Sequence, residues 1–155
     1  MGINDPDFIG GQDAVHLARF LFEMIAIEET LGSMISAYFA PKEQAQFRDE
    51  VLRLISADQM CKIVRKFAKA GAYGERSERV RQVLRTWDEK LRPVRNAIVH
   101  TSPHQIWEFD PAGGVADVQH LFGAGQSDPE KKHTFADLGQ LADQAYLIRM
   151  VLTAE

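Results

Sequence analysis

Cysteine, asparagine and long apolar segments are scarce in this chain of 155 residues. Cys61 is the single cysteine, so an intramolecular disulfide is excluded and a cysteine-based zinc site is not expected. We interpret it as a core thiol. No apolar run approaches the roughly 18 residues that a membrane helix requires, and residues 1–11 lack the basic and apolar regions of a secretory signal. These absences predict a cytoplasmic protein with no membrane association.

The sequence motifs of several common enzyme classes are also absent. There is no phosphate-binding P-loop, no dinucleotide-binding glycine motif, no zinc-protease helix motif and no serine-hydrolase elbow. His104, His120 and His133 share no helical spacing that would bring them together as metal ligands. We therefore expect that the protein uses neither a metal nor an organic cofactor.

Basic residues are concentrated in one part of an otherwise acidic chain, whose formal net charge is −4. Segment 58–100 contains eleven lysines and arginines but five acidic residues, so it carries +6 and the remainder carries −10. This segment either forms solvated helix faces or presents a confined positive surface to an anionic ligand. The acidic balance of the whole chain argues against broad, sequence-independent coating of nucleic acid.

Hydrophobic periodicity indicates a single domain, residues 1–155, of the all-α class. Apolar residues recur every three or four positions in five segments, which predicts an antiparallel helical bundle of about five helices. The five segments are 12–40, 42–56, 58–70, 75–100 and 134–153. Residues 1–11 are predicted to be a flexible N-terminus, and 104–123 a small β-hairpin insertion around a turn rich in proline and glycine at 110–114.

Local signals refine the predicted helices. Asp58 is predicted as the N-cap of the third helix, and Thr134 with Asp137 resembles a capping box at the start of the last one. Pro93 lacks a backbone N–H, so we expect a kink within the fourth helix. Trp87 lies on the inner apolar stripe of that helix and is interpreted as a core residue.

The segment Arg95-Asn96-Ala97-Ile98-Val99-His100 places a cation, an amide and a titratable imidazole at the end of the fourth helix. Residues four apart share a helix face, so Arg92, Asn96 and His100 form one ladder. At about 100° per residue, Arg95 lies roughly 140° from His100, although its long side chain can swing toward the histidine. In a purely structural interpretation, His100 complements the helix dipole, Asn96 hydrogen-bonds to it and the arginines are solvated.

The same residue types are suited to metal-independent cleavage of RNA. An imidazole exchanges a proton near neutral pH, and a guanidinium binds a phosphate through two parallel hydrogen bonds. The RNA 2′-hydroxyl is a built-in nucleophile, so a base beside a phosphate-bound cation can begin cleavage to a 2′,3′-cyclic phosphate. The leaving 5′-oxygen also needs an acid. One histidine fills one role at a time, so the full reaction points to two copies of the site in a symmetric homodimer.

The Arg-Asn-x-x-x-His pattern near the end of a late helix resembles the signature of the HEPN superfamily. This resemblance implies an antiparallel helical bundle that dimerises. It also implies, for many members, a metal-independent endoribonuclease of toxin–antitoxin, phage-defence or RNA-processing systems. Carried over by position, the resemblance makes Arg95 and His100 the catalytic pair and Asn96 the polar residue that orients them. RNA and an antitoxin or regulatory protein are then the expected partners.

Two further observations leave alternatives open. Glu28 lies on the apolar stripe of the first helix, where it either pairs with Arg92 or Arg95 or sits at the stripe's edge and reaches water. The motif is also similar to that of the mannitol-operon-repressor family, which implies a regulatory role without catalysis. The alternative to a ribonuclease is therefore a helical module that binds a partner protein, RNA or a nucleotide.

Overall fold

The structure, a computed structural model, describes residues 11–100, 104–109, 115–122 and 133–154. Side chains are described for residues 11–99 and 133–154. The predicted flexible N-terminus therefore lies outside the described residues except for Gly11, and the predicted turn at 110–114 lies outside them entirely. The backbone of His100 is described, but its imidazole is not.

The described part of the chain is mainly helical, which confirms the predicted helical class. Its helices are α1 (Gly11–Phe39), α2 (Gln44–Glu50), α3 (Ala57–Lys69), α4 (Ser77–Thr86), α5 (Arg92–His100) and α6 (Phe135–Thr153). Its strands are β1 (His104–Phe109), β2 (Val115–Phe122) and β3 (His133–Thr134). None of these helices combines the length and apolarity that crossing a bilayer requires.

One apolar cluster joins α1, α3, α4 and α6. Phe20 and Leu138 contribute to it from the first and last helices, which lie side by side. Trp87 and Cys61 are each 1% exposed, so the prediction that both are core residues is confirmed. The burial of a large apolar side chain, such as that of Phe20 or Leu138, stabilises the fold by roughly 1.5–3 kcal/mol relative to leaving it in water.

Ser56, and not Asp58, caps α3. The Ser56 hydroxyl accepts a hydrogen bond from the Gln59 backbone N–H, and the Gln59 side chain accepts one from the Ser56 N–H, which makes a capping box. The prediction of Asp58 as the N-cap is therefore wrong. Asp58 is the second residue of the helix, where its carboxylate accepts a hydrogen bond from Lys62 at 2.6 Å.

A π-helical turn, Trp87–Leu91, joins α4 to α5 and divides the single helix predicted at 75–100. The Arg92 N–H donates to the Trp87 carbonyl, five residues back. Pro93 follows directly and has no N–H to donate to the carbonyl four residues before it, so the ladder is already weakened here. The winding therefore changes just before Pro93, and the kink predicted at this residue stays a prediction.

The predicted start of the last helix is confirmed, whereas the predicted length of the second helix is wrong. At α6, the Thr134 hydroxyl accepts from the Asp137 N–H and the Asp137 carboxylate accepts from the Thr134 N–H, so the predicted capping box is confirmed. The second predicted helix is too long, because α2 ends at Glu50 and a 3-10 turn, Leu52–Leu54, follows. Leu52 is buried at 5% exposure, and the tighter turn accompanies its entry into the core.

The strands form a small antiparallel sheet in the order β1-β2-β3. His104 is opposite Leu121 in the first pair, and Leu121 is opposite Thr134 in the second. The sequence pattern did not predict β3, which has two residues and leads directly into α6. The sheet therefore connects the end of α5 to the start of the last helix.

Candidate functional site

A cleft of about 390 Å³ lies where α1, the start of α3, the π turn and α5 meet. Four of the five residues predicted for the site line it. They are Glu28, Arg92, Arg95 and Asn96. The fifth, His100, is the last residue of α5, so its backbone lies just over one helical turn beyond Asn96. Ser56 and Asp58 complete the polar part of the described lining.

Arg95 is loosely held within the cleft. Its Nη2 lies 3.5 Å from Glu28 Oε1, and its Nη1 donates to Asn96 Oδ1 at 3.4 Å. Both distances exceed the roughly 2.7–2.9 Å of a strong charge-assisted hydrogen bond. The Arg95 side chain is 37% exposed and lines the cleft. An incoming phosphate could therefore replace these contacts with shorter ones.

Glu28 pairs with Arg95 rather than with Arg92, which resolves the alternatives for this carboxylate. Its side chain retains 25% exposure. Burial raises the pKa of the Glu28 carboxyl, and the Arg95 charge lowers it by a smaller amount. The ion pair therefore offsets only part of the free energy that Glu28 loses by leaving water. This carboxylate is a weak competitor for the guanidinium of Arg95.

Arg92 has a different environment from Arg95, although both were predicted for the same site. Its Nη1 lies 3.1 Å from Asp58 Oδ1, and its Nη2 lies 2.7 Å from Asp88 Oδ1. The hydrogen bond from Lys62 lowers the pKa of the Asp58 carboxyl, and the Arg92 charge acts in the same direction. Arg92 therefore ties α3 to the π turn, and its charge is balanced by two carboxylates.

These two aspartates were not predicted for the site. Asp88 precedes Arg92 by four residues, and Asp58 precedes Lys62 by the same interval. Acidic and basic residues at this spacing lie on one helix face, so the sequence did contain the signal for both local pairs. The contact between Asp58 and Arg92 links different helices and has no such signal.

Trp87 forms part of the wall of the cleft. It is 1% exposed, and its Nε1 has no hydrogen-bond partner among the described residues. A buried donor without an acceptor costs about 1–3 kcal/mol. An acceptor atom of a ligand in the cleft is one means of removing this cost. Helical periodicity predicted Trp87 as a core residue but carried no signal for the unpaired Nε1.

The described residues contain no group of three or more His, Cys, Asp and Glu side chains arranged to hold a metal ion. Of the two arginines in the cleft, Arg92 has close contacts to two carboxylates, and Arg95 has the longer contacts described above. Comparisons with known proteins add no family assignment: no family model matches the chain, and searches of curated proteins and of solved structures returned no match.

Proposed function

We propose that this protein is a metal-independent endoribonuclease of the HEPN type that acts as a homodimer. The observation that carries the proposal is the environment of Arg95. Arg95 lines the cleft, its guanidinium has contacts of 3.4 and 3.5 Å to Asn96 and Glu28 among the described residues, and it lies on the helix that ends at His100. In this proposal the chain is an antiparallel helical bundle, and 104–123 is a hairpin inserted beside the site.

The proposed reaction is an in-line transesterification. Arg95 binds the non-bridging oxygens of the scissile phosphate and offsets the charge that develops on them. His100 accepts the proton of the RNA 2′-hydroxyl as its oxygen forms a bond to phosphorus. The bond from phosphorus to the 5′-oxygen then breaks, and the partner subunit's His100 donates a proton to that oxygen. The products are a 2′,3′-cyclic phosphate and a 5′-hydroxyl.

The cleft residues other than Arg95 and His100 act by positioning in this scheme. Asn96 accepts a hydrogen bond from Arg95, and Glu28 balances its charge when no RNA is bound. Arg92 keeps α5 in place through its two carboxylate partners. A cognate antitoxin or regulatory protein belongs to the same proposal as the partner that would control such an activity.

The test is cleavage of a mixed RNA pool in EDTA by wild type, His100→Ala and Arg95→Ala. Arg79→Ala, which removes an exposed arginine outside the cleft, is the matched control. We expect the rate to fall by about 10²–10⁴-fold without the histidine and by about 10²–10³-fold without Arg95. The control should cleave like wild type. RNA with a 2′-deoxy residue at the scissile position should resist cleavage.

Mass spectrometry of the products identifies the cyclic phosphate directly. A folded, dimeric wild type that leaves RNA intact would exclude the ribonuclease. The same cleft would then belong to a helical module that binds RNA, a nucleotide or a partner protein without catalysis, as the similarity to the mannitol-operon-repressor family implies. Cleavage that survives in both the His100 and Arg95 variants would place the active site elsewhere or reveal a contaminant.

A further inference from the structure

A second concave surface is formed by α3 and α4, and all of the described residues that line it are cations. This basic groove has a volume of about 350 Å³. The residues that line it are Lys62, Arg65, Lys66, Lys69 and Arg81. Arg85 extends it into a neighbouring hollow that Arg65 and Arg81 also line. The groove is therefore a local positive surface on a chain whose formal net charge is −4.

The arrangement on α3 explains how the groove arises from the sequence. Its four lysines and arginines follow one another at intervals of three, one and three residues, which places them on a single helix face. The buried residues of α3, such as Cys61 and Val64, occupy the opposite face. The same amphipathic pattern that inserts α3 into the core therefore aligns its cations along the protein surface.

Neighbouring carboxylates neutralise the groove only in part. Arg81 pairs with Glu78 at 2.9 Å, and Arg85 pairs with Glu89 at 3.1 Å. Lys66 and Lys69 are exposed and have no acidic partner among the described residues. Because a surface ion pair contributes about 0–1 kcal/mol, the paired cations can exchange their carboxylates for another anion at small cost.

Two aspartates link the groove to the cleft that contains Arg95. Asp58 contacts Lys62 of the groove at 2.6 Å and Arg92 of the cleft at 3.1 Å. Asp88 contacts Arg92 at 2.7 Å and Arg65 of the groove at 3.7 Å. Asp58 and Asp88 thus lie between the two surfaces, and each of them pairs with a cation of both.

We propose that the basic groove binds the phosphate backbone of the RNA strand next to the cleavage site. The inference rests on the proposed function for the identity of the polyanion. No aromatic side chain lines the groove among the described residues, so bases have no stacking surface there. Lysines contact phosphates as point charges and carry no base-specific geometry. The groove therefore adds affinity that is independent of sequence and sensitive to salt.

The experiment measures binding of a 5′-fluorescein-labelled, fully 2′-O-methyl RNA 20-mer of mixed sequence by fluorescence anisotropy between 50 and 300 mM salt. This probe cannot be cleaved, because its 2′-oxygens are blocked. Lys66→Gln/Lys69→Gln removes the two unpaired cations of the groove. The matched control is Lys42→Gln/Arg48→Gln, which changes the net charge equally at two exposed positions outside the groove and the cleft.

We expect the groove variant to bind at least tenfold more weakly at the lowest salt concentration. Its plot of log affinity against log salt should be shallower by about 1.4, since each lost phosphate contact removes about 0.7 for single strands. The control should match wild type in both respects. Equal weakening of the two variants would overturn the proposal, because net charge alone would then explain binding. Absence of binding by wild type would also overturn it.

A chain of poly-glutamate with the same number of charges serves as the competitor. The assignment to RNA is wrong if poly-glutamate displaces the probe as effectively as unlabelled RNA at the same concentration of charges, and if the groove variant loses as much affinity for poly-glutamate as for RNA. The groove is then a site for acidic proteins. Binding of the uncleavable probe does not require catalysis, so the two proposals can fail separately. If wild type cleaves RNA and the groove variant binds the probe normally, the proposed function stands and the groove proposal is wrong. If the probe binds through the groove but wild type does not cleave RNA, the groove proposal stands and the ribonuclease proposal is wrong.

Discussion

Arg95 and Glu28 form an ion pair of 3.5 Å in which neither partner is fully satisfied. The carboxylate comes from the first helix and the guanidinium from the fifth, so their meeting depends on how those helices pack. Burial raises the pKa of Glu28 despite the neighbouring cation. The free energy of the pair is therefore too small to offset the removal of the carboxylate from water.

The change in the free energy of unfolding caused by Glu28→Gln should be more favourable at pH 7 than at pH 4. The folded-state pKa of Glu28 is above its unfolded value of 4.5, so the folded chain holds the proton more tightly. The resulting stability is present below that unfolded pKa and is lost as pH rises through the folded-state pKa. Glutamine removes this loss. Urea unfolding at both pH values measures the change.

Glu29→Gln controls for the removal of a carboxylate from the exposed side of the same helix. The prediction requires the difference in the free energy of unfolding between Glu28→Gln and wild type to become more favourable from pH 4 to pH 7. A difference that is constant, or larger at pH 4, would mean that Arg95 stabilises the ionised carboxylate more than burial destabilises it.

Arg149→Met should destabilise the protein far more than Arg19→Met, although both arginines join α6 and α1 through an ion pair. Arg149 donates to both carboxylate oxygens of Glu23, at 2.7 and 3.1 Å, and Glu23 is 9% exposed. Without Arg149, a nearly buried carboxylate remains unpaired. Breaking a fully buried pair costs about 3–5 kcal/mol, and we expect roughly 2–3 kcal/mol here because Arg149 is partly exposed.

Arg19 is the matched control for this prediction. It pairs with Asp143 at 2.6 Å, but the two side chains are 50% and 69% exposed. Its replacement should cost no more than about 0.5 kcal/mol. Chemical denaturation of both variants measures the two costs. Equal losses would show that burial of the first pair has no energetic consequence.

The Cys61 thiol should be almost inert in the folded protein. Burial raises the pKa of this thiol to about 11, and its side chain is 1% exposed. The thiolate is the reactive form, so at pH 8 a free cysteine should react with Ellman's reagent at least about 100-fold faster. Addition of urea should restore rapid labelling. Rapid labelling without denaturant would contradict the burial of this residue.

Gly139→Ala should raise stability in a His16→Ala background but not in the wild-type chain. A Cβ atom at Gly139 would lie 2.6 Å from His16 Nδ1 and 2.9 Å from His16 Cε1, so the imidazole ring must move. In a His16→Ala background the clash is gone, and alanine should add about 0.5–1 kcal/mol as the better helix former. In the wild-type chain, the displaced ring should cancel this gain or reverse its sign.

Thermal unfolding of the four chains in this cycle measures the coupling between the two residues. We expect a coupling free energy of about 1 kcal/mol or more, as for residues in direct contact. Identical effects of Gly139→Ala in both backgrounds would show that the ring moves aside freely. The experiment therefore tests the close approach of α1 and α6 at this point.

Sequence reasoning succeeded where structure depends on residues close together in the chain. The capping box of Thr134 and Asp137 needs two residues three positions apart, and the inner position of Trp87 follows from helical periodicity. It failed at Asp58 because two good capping residues lie close together. The residue three positions after Ser56 completes a capping box, which was the signal that the prediction overlooked.

The sequence by itself determined the helical class, the alternation of buried and exposed faces and the concentration of cations between 58 and 100. Only the tertiary structure decided that Glu28 meets Arg95 and that Asp58 meets Arg92. Those contacts join different helices, and their geometry depends on the rotation and separation that core packing imposes. Periodicity within one helix carries no information about either quantity, so these two contacts between helices could not be read from the chain alone.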